Sequence, residues 1–416
     1  MKTKFFKNLS YLTLIQISNT LIPLLIIPYL ARIISQENFG NLEFARYFCY
    51  YFSIIINYGF DVTITRAISI NRENKVFINN IISQTIYAKL FLLLISILLF
   101  FIILEFTPLL KDLFFLLTAT FLINIGFFLF PIWYFQGIEN LPRISIINFF
   151  IKIIIALLTV LLIKKNADFL YFNGLQSLSL IFMGVISFFI LFRYREFAFT
   201  KFDFEFIKSI FKEGFPVFIS TVLITYISTI FFIFLKTNSN DLELGKFSTA
   251  NKIIASFQAL ILLPFSQAFF PLVAKQVKEN FLKFKVNIFY SSLIMFCITA
   301  FVGLLLYFFP DKFLVFIFGQ KYLGAVESLK SLAFVPMFML LNNVFAFQGL
   351  LALKKDRLFL FIHILGAIIT TVLCLVFNNI NSVHVSNIRL TVEIIMFVLS
   401  LFFYFKVVRI LNSTTL

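Results

Sequence analysis

Histidine, cysteine and tryptophan are nearly missing from this chain of 416 residues, which holds two, three and one of them, and charged residues make up only 13%. Each scarcity excludes something. His363 falls in an apolar run and His384 in a polar connection, and neither has a carboxylate or cysteine at a recognisable spacing, so no acid–base or nucleophilic constellation can be assembled. Cys49, Cys297 and Cys374 lie far apart, each inside an apolar segment, which excludes a metal-ligand motif by spacing and makes a disulfide framework untenable. No glycine-rich phosphate loop is found. The polar connections are short, with no room for the extramembrane catalytic portion that a multi-span glycosyltransferase or polymerase needs. These absences describe a non-enzyme with no expected metal or cofactor.

What is present is hydrocarbon. Hydrophobic residues account for 61% of the chain, against about 45–50% in a soluble domain. The chain reads as an all-α polytopic membrane protein. The formal charge of +16 would suggest nucleic acid in a soluble protein, but cytoplasmic loops of membrane proteins collect Lys and Arg, and no nucleic-acid partner is expected. Runs of about 20 apolar residues, the length that crosses the hydrocarbon core, number about twelve. They cover roughly 10–34, 41–64, 79–104, 113–133, 144–163, 169–192, 214–235, 247–273, 286–309, 328–353, 358–378 and 388–410. The basic start at residues 1–10 leads into an apolar segment too long for a signal-peptide core, so the first helix is expected to remain in the mature protein. With the N-terminus inside, loops such as those holding Arg193, Arg195, Lys201, Lys208 and Lys212, or Lys354, Lys355 and Arg357, give the inner side a roughly threefold excess of Lys and Arg. Both termini are therefore expected in the cytoplasm.

The longest polar connection, residues 193–213, lies at mid-chain. Phe206, Ile207, Ile210 and Phe211 recur there at helical spacing beside Lys208 and Lys212, the pattern of a basic amphipathic helix on the inner membrane surface. The expected organisation is an N-terminal six-helix lobe at 1–195, an amphipathic cytoplasmic linker at 196–213 and a C-terminal six-helix lobe at 214–416. Internal similarity supports a duplication. Phe39-Gly40-Asn41-Leu42-Glu43-Phe44-Ala45-Arg46 is matched by Gly245-Lys246-Phe247-Ser248-Thr249-Ala250-Asn251-Lys252, and Phe135-Gln136-Gly137 by Phe347-Gln348-Gly349, at offsets of 205 and 212 residues. An even number of spans per lobe makes this a parallel repeat about an axis along the membrane normal. Trp133, Tyr134 and Gln136 are placed near the cytoplasmic interface, as aromatic-belt residues at a packing corner.

Of the 35 basic residues, Arg32, Arg46, Lys89, Lys152, Lys252, Lys330 and Arg389 fall at or within spans, where a charge costs about 3 kcal/mol even on the lenient insertion scale. Arg32, Lys330 and Arg389 are close enough to helix ends to reach out to the interface. The second span carries Glu43, Arg46, Tyr50, Ser53, Asn57 and Asp61 at steps that confine them to an arc of roughly 80°, a polar stripe that lipid would not tolerate. Ser145, Asn148, Lys152 and Thr159 make a shorter stripe on the fifth span, and Thr249, Lys252 and Ser256 one on the eighth. The expectation is a cationic cavity between the lobes, in which Arg46, Lys89, Lys152, Lys252 and Arg32 bind an anionic group such as a phosphate. Glu43, Tyr50, Ser53, Asn57, Asn148 and Ser256 would line it. The competing reading of Arg46 is a simple pair with Glu43. Asp61 and Glu393 are the acidic candidates for ion coupling, Glu393 being equally a neutralising partner for Arg389 one turn away.

Phe130-Pro131-Ile132-Trp133-Tyr134-Phe135-Gln136-Gly137-Ile138-Glu139 resembles the signature at the end of the fourth helix in Wzx-type O-antigen flippases. Pro28-Tyr29-Leu30-Ala31-Arg32 with Phe39-Gly40, Tyr58-Gly59-Phe60 through Thr65-Arg66-Ala67-Ile68-Ser69, and the second-lobe stretch from Gly245 to Ile253 are similar to further family motifs. The resemblance spans essentially the whole chain. It implies membership of the multidrug/oligosaccharidyl-lipid/polysaccharide exporter superfamily and twelve helices in two V-shaped lobes. The implied activity is translocation of undecaprenyl-pyrophosphate-linked oligosaccharide repeat units across the bacterial inner membrane by alternating access. The partners implied are that glycan, the bilayer, a polysaccharide polymerase and a chain-length regulator. A drug or cation exporter of the same superfamily is the main rival reading, disfavoured because an organic-cation site should be acidic whereas the span interiors here are net basic. A flippase for a peptidoglycan precursor or teichoic acid unit remains open on the residues alone.

Overall fold

The computed structural model describes residues 21–194, 199–377 and 380–414. Among them there is no β-strand, and the elements follow the apolar runs. Helix α1 spans Leu21–Ile33. Ser35 caps α2 (Gln36–Asn57) by accepting the Asn38 N–H at 3.2 Å. The helix stops where Tyr58 and Gly59 adopt left-handed conformations, φ 46° and 80°, before α3 (Phe60–Ile70) resumes. Glycine is required at 59 on two counts. Left-handed φ disfavours a Cβ, and a Cβ there would stand 2.7 Å from Val217 Cβ.

Asn74 caps α4 (Lys75–Phe106). The fourth expected span is broken into α5 (Phe114–Phe121), α6 (Ile123–Leu129) and α7 (Ile132–Gly137), the last break being Pro131. Next come α8 (Pro142–Leu162), opened by a proline where a helix needs no N–H, and α9 (Phe169–Tyr194). Then α10 (Phe204–Asn238), α11 (Asp241–Glu279), α12 (Phe281–Phe308) and the short α13 (Pro310–Ile317) follow. The tenth span is α14 (Val326–Leu332), α15 (Val335–Asn342) and a π-helical stretch, Asn343–Leu351, before α16 (Asp356–Val376) and α17 (Ser382–Thr414). Among the described residues, nine helical stretches are long and apolar enough to cross a membrane. The polar-striped α2 and α11 are not among them. The placement of both termini lies outside the described residues.

The chain divides into two compact units, one up to Thr225 and one from Tyr226, the boundary falling inside α10. In the first unit, α6 and α9 touch backbone to backbone. A Cβ on Gly126 would lie 2.7 Å from the Leu180 carbonyl carbon. The unit's core gathers Phe60, Ile64, Ile68, Ile78, Trp133, Tyr134 and Ile144. Ile207 and Ile210 belong to it as well, so the apolar face of residues 204–213, which are continuous with α10, is covered by protein. The strap before α10 is held to α4: Gln84 Nε2 donates to the Lys201 carbonyl at 2.7 Å, and the Asp203 N–H donates to Gln84 Oε1 at 3.0 Å.

In the second unit α14, α15 and the π-stretch pack on α17 and α12. The two Phe-Gln-Gly copies are packed differently. Gly137 abuts Ile68 of α3, whereas Gly349 abuts the Tyr404 ring of α17. Trp133 and Tyr134 are each 1% exposed, which corrects the expectation of an interfacial aromatic belt. Helix α7 turns them toward α3 and the core, and the Thr65 hydroxyl donates to the Trp133 carbonyl at 3.1 Å.

Candidate substrate and ion site

The stripe on α2 is real, but its members meet different surroundings. Toward its N-terminal end Arg46 Nη2 pairs with Glu43 Oε2 at 2.5 Å and its guanidinium lies 4.1 Å from the Tyr47 ring centre. Glu43 is buried, while the Arg46 side chain remains 42% exposed, so the paired arginine still presents donors. Tyr50, one turn on, is also exposed. Ser53 is not open at all: its hydroxyl donates to Asn124 Oδ1 of α6 at 2.8 Å, and Asn124 Nδ2 donates back to the Cys49 carbonyl at 3.3 Å. That exchange bolts α2 to α6.

Lower on the stripe, Asn57 and Asp61 flank the α2–α3 break and face Lys89 of α4. Lys89 is 1% exposed, and its Nζ donates to Asn57 Oδ1 at 3.1 Å and to the Phe127 carbonyl at 2.8 Å. The carbonyl is available for a local reason. Its helical partner would be the N–H of residue 131, and proline has none. Asp61 and Lys89 interact electrostatically without direct contact, and Asp61 Oδ1 is buried with no hydrogen-bond partner among the described residues. Lys152 on α8 has neither hydrogen bond nor ion pair among the described residues; its neighbours Ser145 and Asn148 are buried, Ser145 donating to the Leu141 carbonyl. Arg32 is exposed at the end of α1.

In the second unit Lys252 is half-buried, and the Ser256 hydroxyl donates to the Lys252 carbonyl at 2.8 Å, back-bonded to its own helix. Arg389 does not reach out to the interface as its position near a helix end suggested. It is 3% exposed and donates to Asn251 Oδ1 of α11. Glu393, 5% exposed, sits in the field of that arginine. Lys330 does lie at a surface, paired with Glu327 at 2.9 Å.

The structure therefore brings Asn57, Asp61 and Lys89 together, pairs Arg46 with Glu43, and buries Ser53 in a helix contact. Sequence reasoning missed Phe127, Asn124 and Asn251. Phe127 had a legible signal in Pro131 four residues on; the two asparagines had none. At the Phe-Gln-Gly corner Arg72 donates from Nε to the Gly137 carbonyl at 2.8 Å and pairs with Glu139 at 2.5 Å, which locks the end of the signature to the end of α3. Among the described residues no cluster of His, Cys, Asp or Glu is able to hold a metal ion.

Comparison with known proteins agrees with this architecture. A protein from Escherichia coli (strain K12) named "Putative O-antigen transporter" is 26% identical over 372 residues, covering 89% of each chain. One of the same name from Shigella dysenteriae is 28% identical over 368 residues, covering 87% of this chain and 90% of its own. An inward-facing multidrug resistance MATE family transporter of the MOP superfamily superposes with TM-score 0.69 at 14% identity, covering 94% of this chain and 96% of its own. A MOP superfamily transporter from Pyrococcus furiosus gives 0.53, also at 14% identity, covering 96% and 91%. At such identity the structures speak for a shared fold alone. The model of the family described as "Polysaccharide biosynthesis protein" matches residues 5–277, about two thirds of the chain and the whole polar stripe of α2, and the protein belongs to that family.

Proposed function

We propose that this protein is a polysaccharide-unit transporter, a flippase that carries undecaprenyl-pyrophosphate-linked oligosaccharide repeat units across the bacterial inner membrane by alternating access. The observation that carries this is a family match over the region in which basic groups are held inside apolar helices. In this reading residues 1–195 and 214–416 are the working lobes and 196–213 joins them. The pyrophosphate is bound by Arg46, Lys152, Lys252 and Arg32, Lys89 being buried and already engaged by Asn57 and the Phe127 carbonyl, and the polyprenyl tail stays in lipid. Glu43 limits Arg46 to a partly neutralised cation with donors to spare, which favours exchange of a diphosphate over its permanent capture. Lys152, with no hydrogen bond or ion pair among the described residues, is the group with most to gain from an anion, since an unpaired ammonium at bilayer depth costs a few kcal/mol. Asp61 or Glu393 carries the coupling ion. A polymerase and a chain-length regulator would take up the delivered unit.

Surface glycan display in cells lacking the native gene, with protein level checked, is the test. Arg46→Ala, Lys152→Ala and Lys252→Ala are each expected to lower display at normal abundance. Full display by all three would refute the binding role.

A further inference from the structure

The surroundings of Lys89 are those of an ion site. Two oxygens hold its ammonium, Asn57 Oδ1 at 3.1 Å and the Phe127 carbonyl at 2.8 Å, and the buried Asp61 carboxylate interacts with it electrostatically without touching it. Both oxygens lie at helix breaks. Asn57 is the last residue of α2, before the left-handed Tyr58 and Gly59, and the Phe127 carbonyl is released by Pro131. A side-chain amide, a main-chain carbonyl at a broken helix and a carboxylate are the donors that intramembrane sites offer to sodium or to a proton. Here a lysine from the middle of α4 occupies the place. An ammonium has three donors, two of them engaged, and the Asp61 oxygen nearby lacks a hydrogen-bond partner among the described residues.

Other charged groups from the elements packed on α4 are committed or remote. On α2 Arg46 is paired with Glu43, and Tyr50 stands in the field of both Arg46 and Asp61. On α3 Arg66 is exposed, as is Lys75 at the start of α4. Lys111 and Glu105 pair with each other at 3.4 Å at the far end of α4, and α6 has no titratable residue.

We propose that Lys89 is a tethered cation occupying a site that would otherwise take a monovalent metal ion, so that coupling in this unit runs on the protonation of Asp61 and needs no sodium. With Asp61 protonated by a proton from the aqueous phase, the ammonium is held by Asn57 and Phe127. When Asp61 ionises, it draws the third N–H of Lys89 and loosens the hold on the two helix breaks. The proposal rests on reading the chain as an ion-coupled transporter, and it assigns that reading an ion class and a second residue.

The test uses the full-length protein purified in nanodiscs. Unfolding is followed by the fluorescence of Trp133, the sole tryptophan, in sodium chloride and in choline chloride. Wild type should respond alike to Asp61→Asn in both salts. Lys89→Ala, which empties the site, should gain a sodium-dependent rise in Tm that disappears in Lys89→Ala/Asp61→Asn. A wild-type sodium response that Asp61→Asn abolishes would overturn the proposal, as would Lys89→Ala behaving identically in the two salts. Should Lys89→Ala not be recoverable, Lys89→Met, Asp61→Asn and their combination decide. The double variant should lose much less Tm than the two singles together, and strict additivity would overturn the pairing. These readouts are independent of transport. Failure here with glycan display still sensitive to Arg46, Lys152 and Lys252 removes only the tethered cation, whereas the reverse pattern removes the substrate assignment.

Discussion

Gly137, the last residue of the Phe-Gln-Gly corner, should not accept even a methyl group. A Cβ built there lies 2.6 Å from Ile68 Cγ2, 2.7 Å from Ile68 Cβ and 3.2 Å from the Thr65 carbonyl oxygen. Carbon atoms rest at about 3.5–4.0 Å, so α7 and α3 would have to part by about 1 Å. Ile68 is fully buried and β-branched, with little rotamer freedom to yield. Overpacking of this kind costs about 1–3 kcal/mol, and the helix preference of alanine over glycine returns about 1 kcal/mol. Gly137→Ala should therefore destabilise the protein by a net amount of about 0–2 kcal/mol. Ile68→Ala alone should cost about 2–5 kcal/mol through the cavity it leaves. Together the two should cost less than their sum by about 1 kcal/mol, the scale of coupling for residues in contact. Relief would be partial, because the Ile68 Cβ stays where it is. Trp133 lies four residues away and reports unfolding of this corner by fluorescence in detergent micelles. A net stabilisation by Gly137→Ala, or costs that simply add, would show that the α3–α7 contact is not as close as described.

Asn251→Leu should destabilise the second unit by about 1.5–3 kcal/mol, the worth of a hydrogen bond to a charged group, because Arg389 loses an acceptor while buried; thermal unfolding measures it. Ser53→Ala should cost about 1 kcal/mol through the lost α2–α6 bond, with surface glycan display unchanged at permissive temperature. Glu243, just before the apolar stretch of α11, is raised by partial burial but lowered more by hydrogen bonds from Lys246 and from the side chain and N–H of Ser382, so its carboxyl titrates below the usual range. A depressed value means that the clasp between α11 and the start of α17 contributes fully above the ordinary glutamate value of about 4.3 and is lost as pH falls through the lower folded value. The protection factor of the Ser382 amide, the unstructured exchange rate divided by the observed rate at the same pH, should fall over that acidic window, and Glu243→Gln should make that factor independent of pH there.

Much of the scaffold was legible in the amino-acid order because hydrocarbon thickness sets a length and helical geometry sets a period. Apolar runs located the helices. Steps of three and four residues from Glu43 to Asn57 put one polar face on α2, whereas the left-handed break at Tyr58 and Gly59 places Asp61, read as part of the same stripe, on α3. Periodicity says which side of a helix is polar but not what that side meets. Ser53 and Asn57 belong to the same stripe, yet one bolts α2 to α6 and the other helps hold an ammonium. Position along a span likewise misjudged Trp133, Tyr134 and Arg389. Each lies near a presumed interface, where exposure is the default, and neighbouring helices buried all three. The matching Phe-Gln-Gly triplets were legible as a duplication, but a π-helical stretch carries the second copy onto α17, while the first rests on α3.

The sequence by itself thus determined the membrane class, the helices, the basic character of their interiors and the family. These follow from composition, run length and local motif, all of them one-dimensional quantities. Only the tertiary structure decided which charges are paired, which are buried and which stand without a partner, because each depends on residues distant in the chain. Lys89, thirty-two positions from Asn57 and thirty-eight from Phe127, owes its role to two helix breaks that folding brings to the same place.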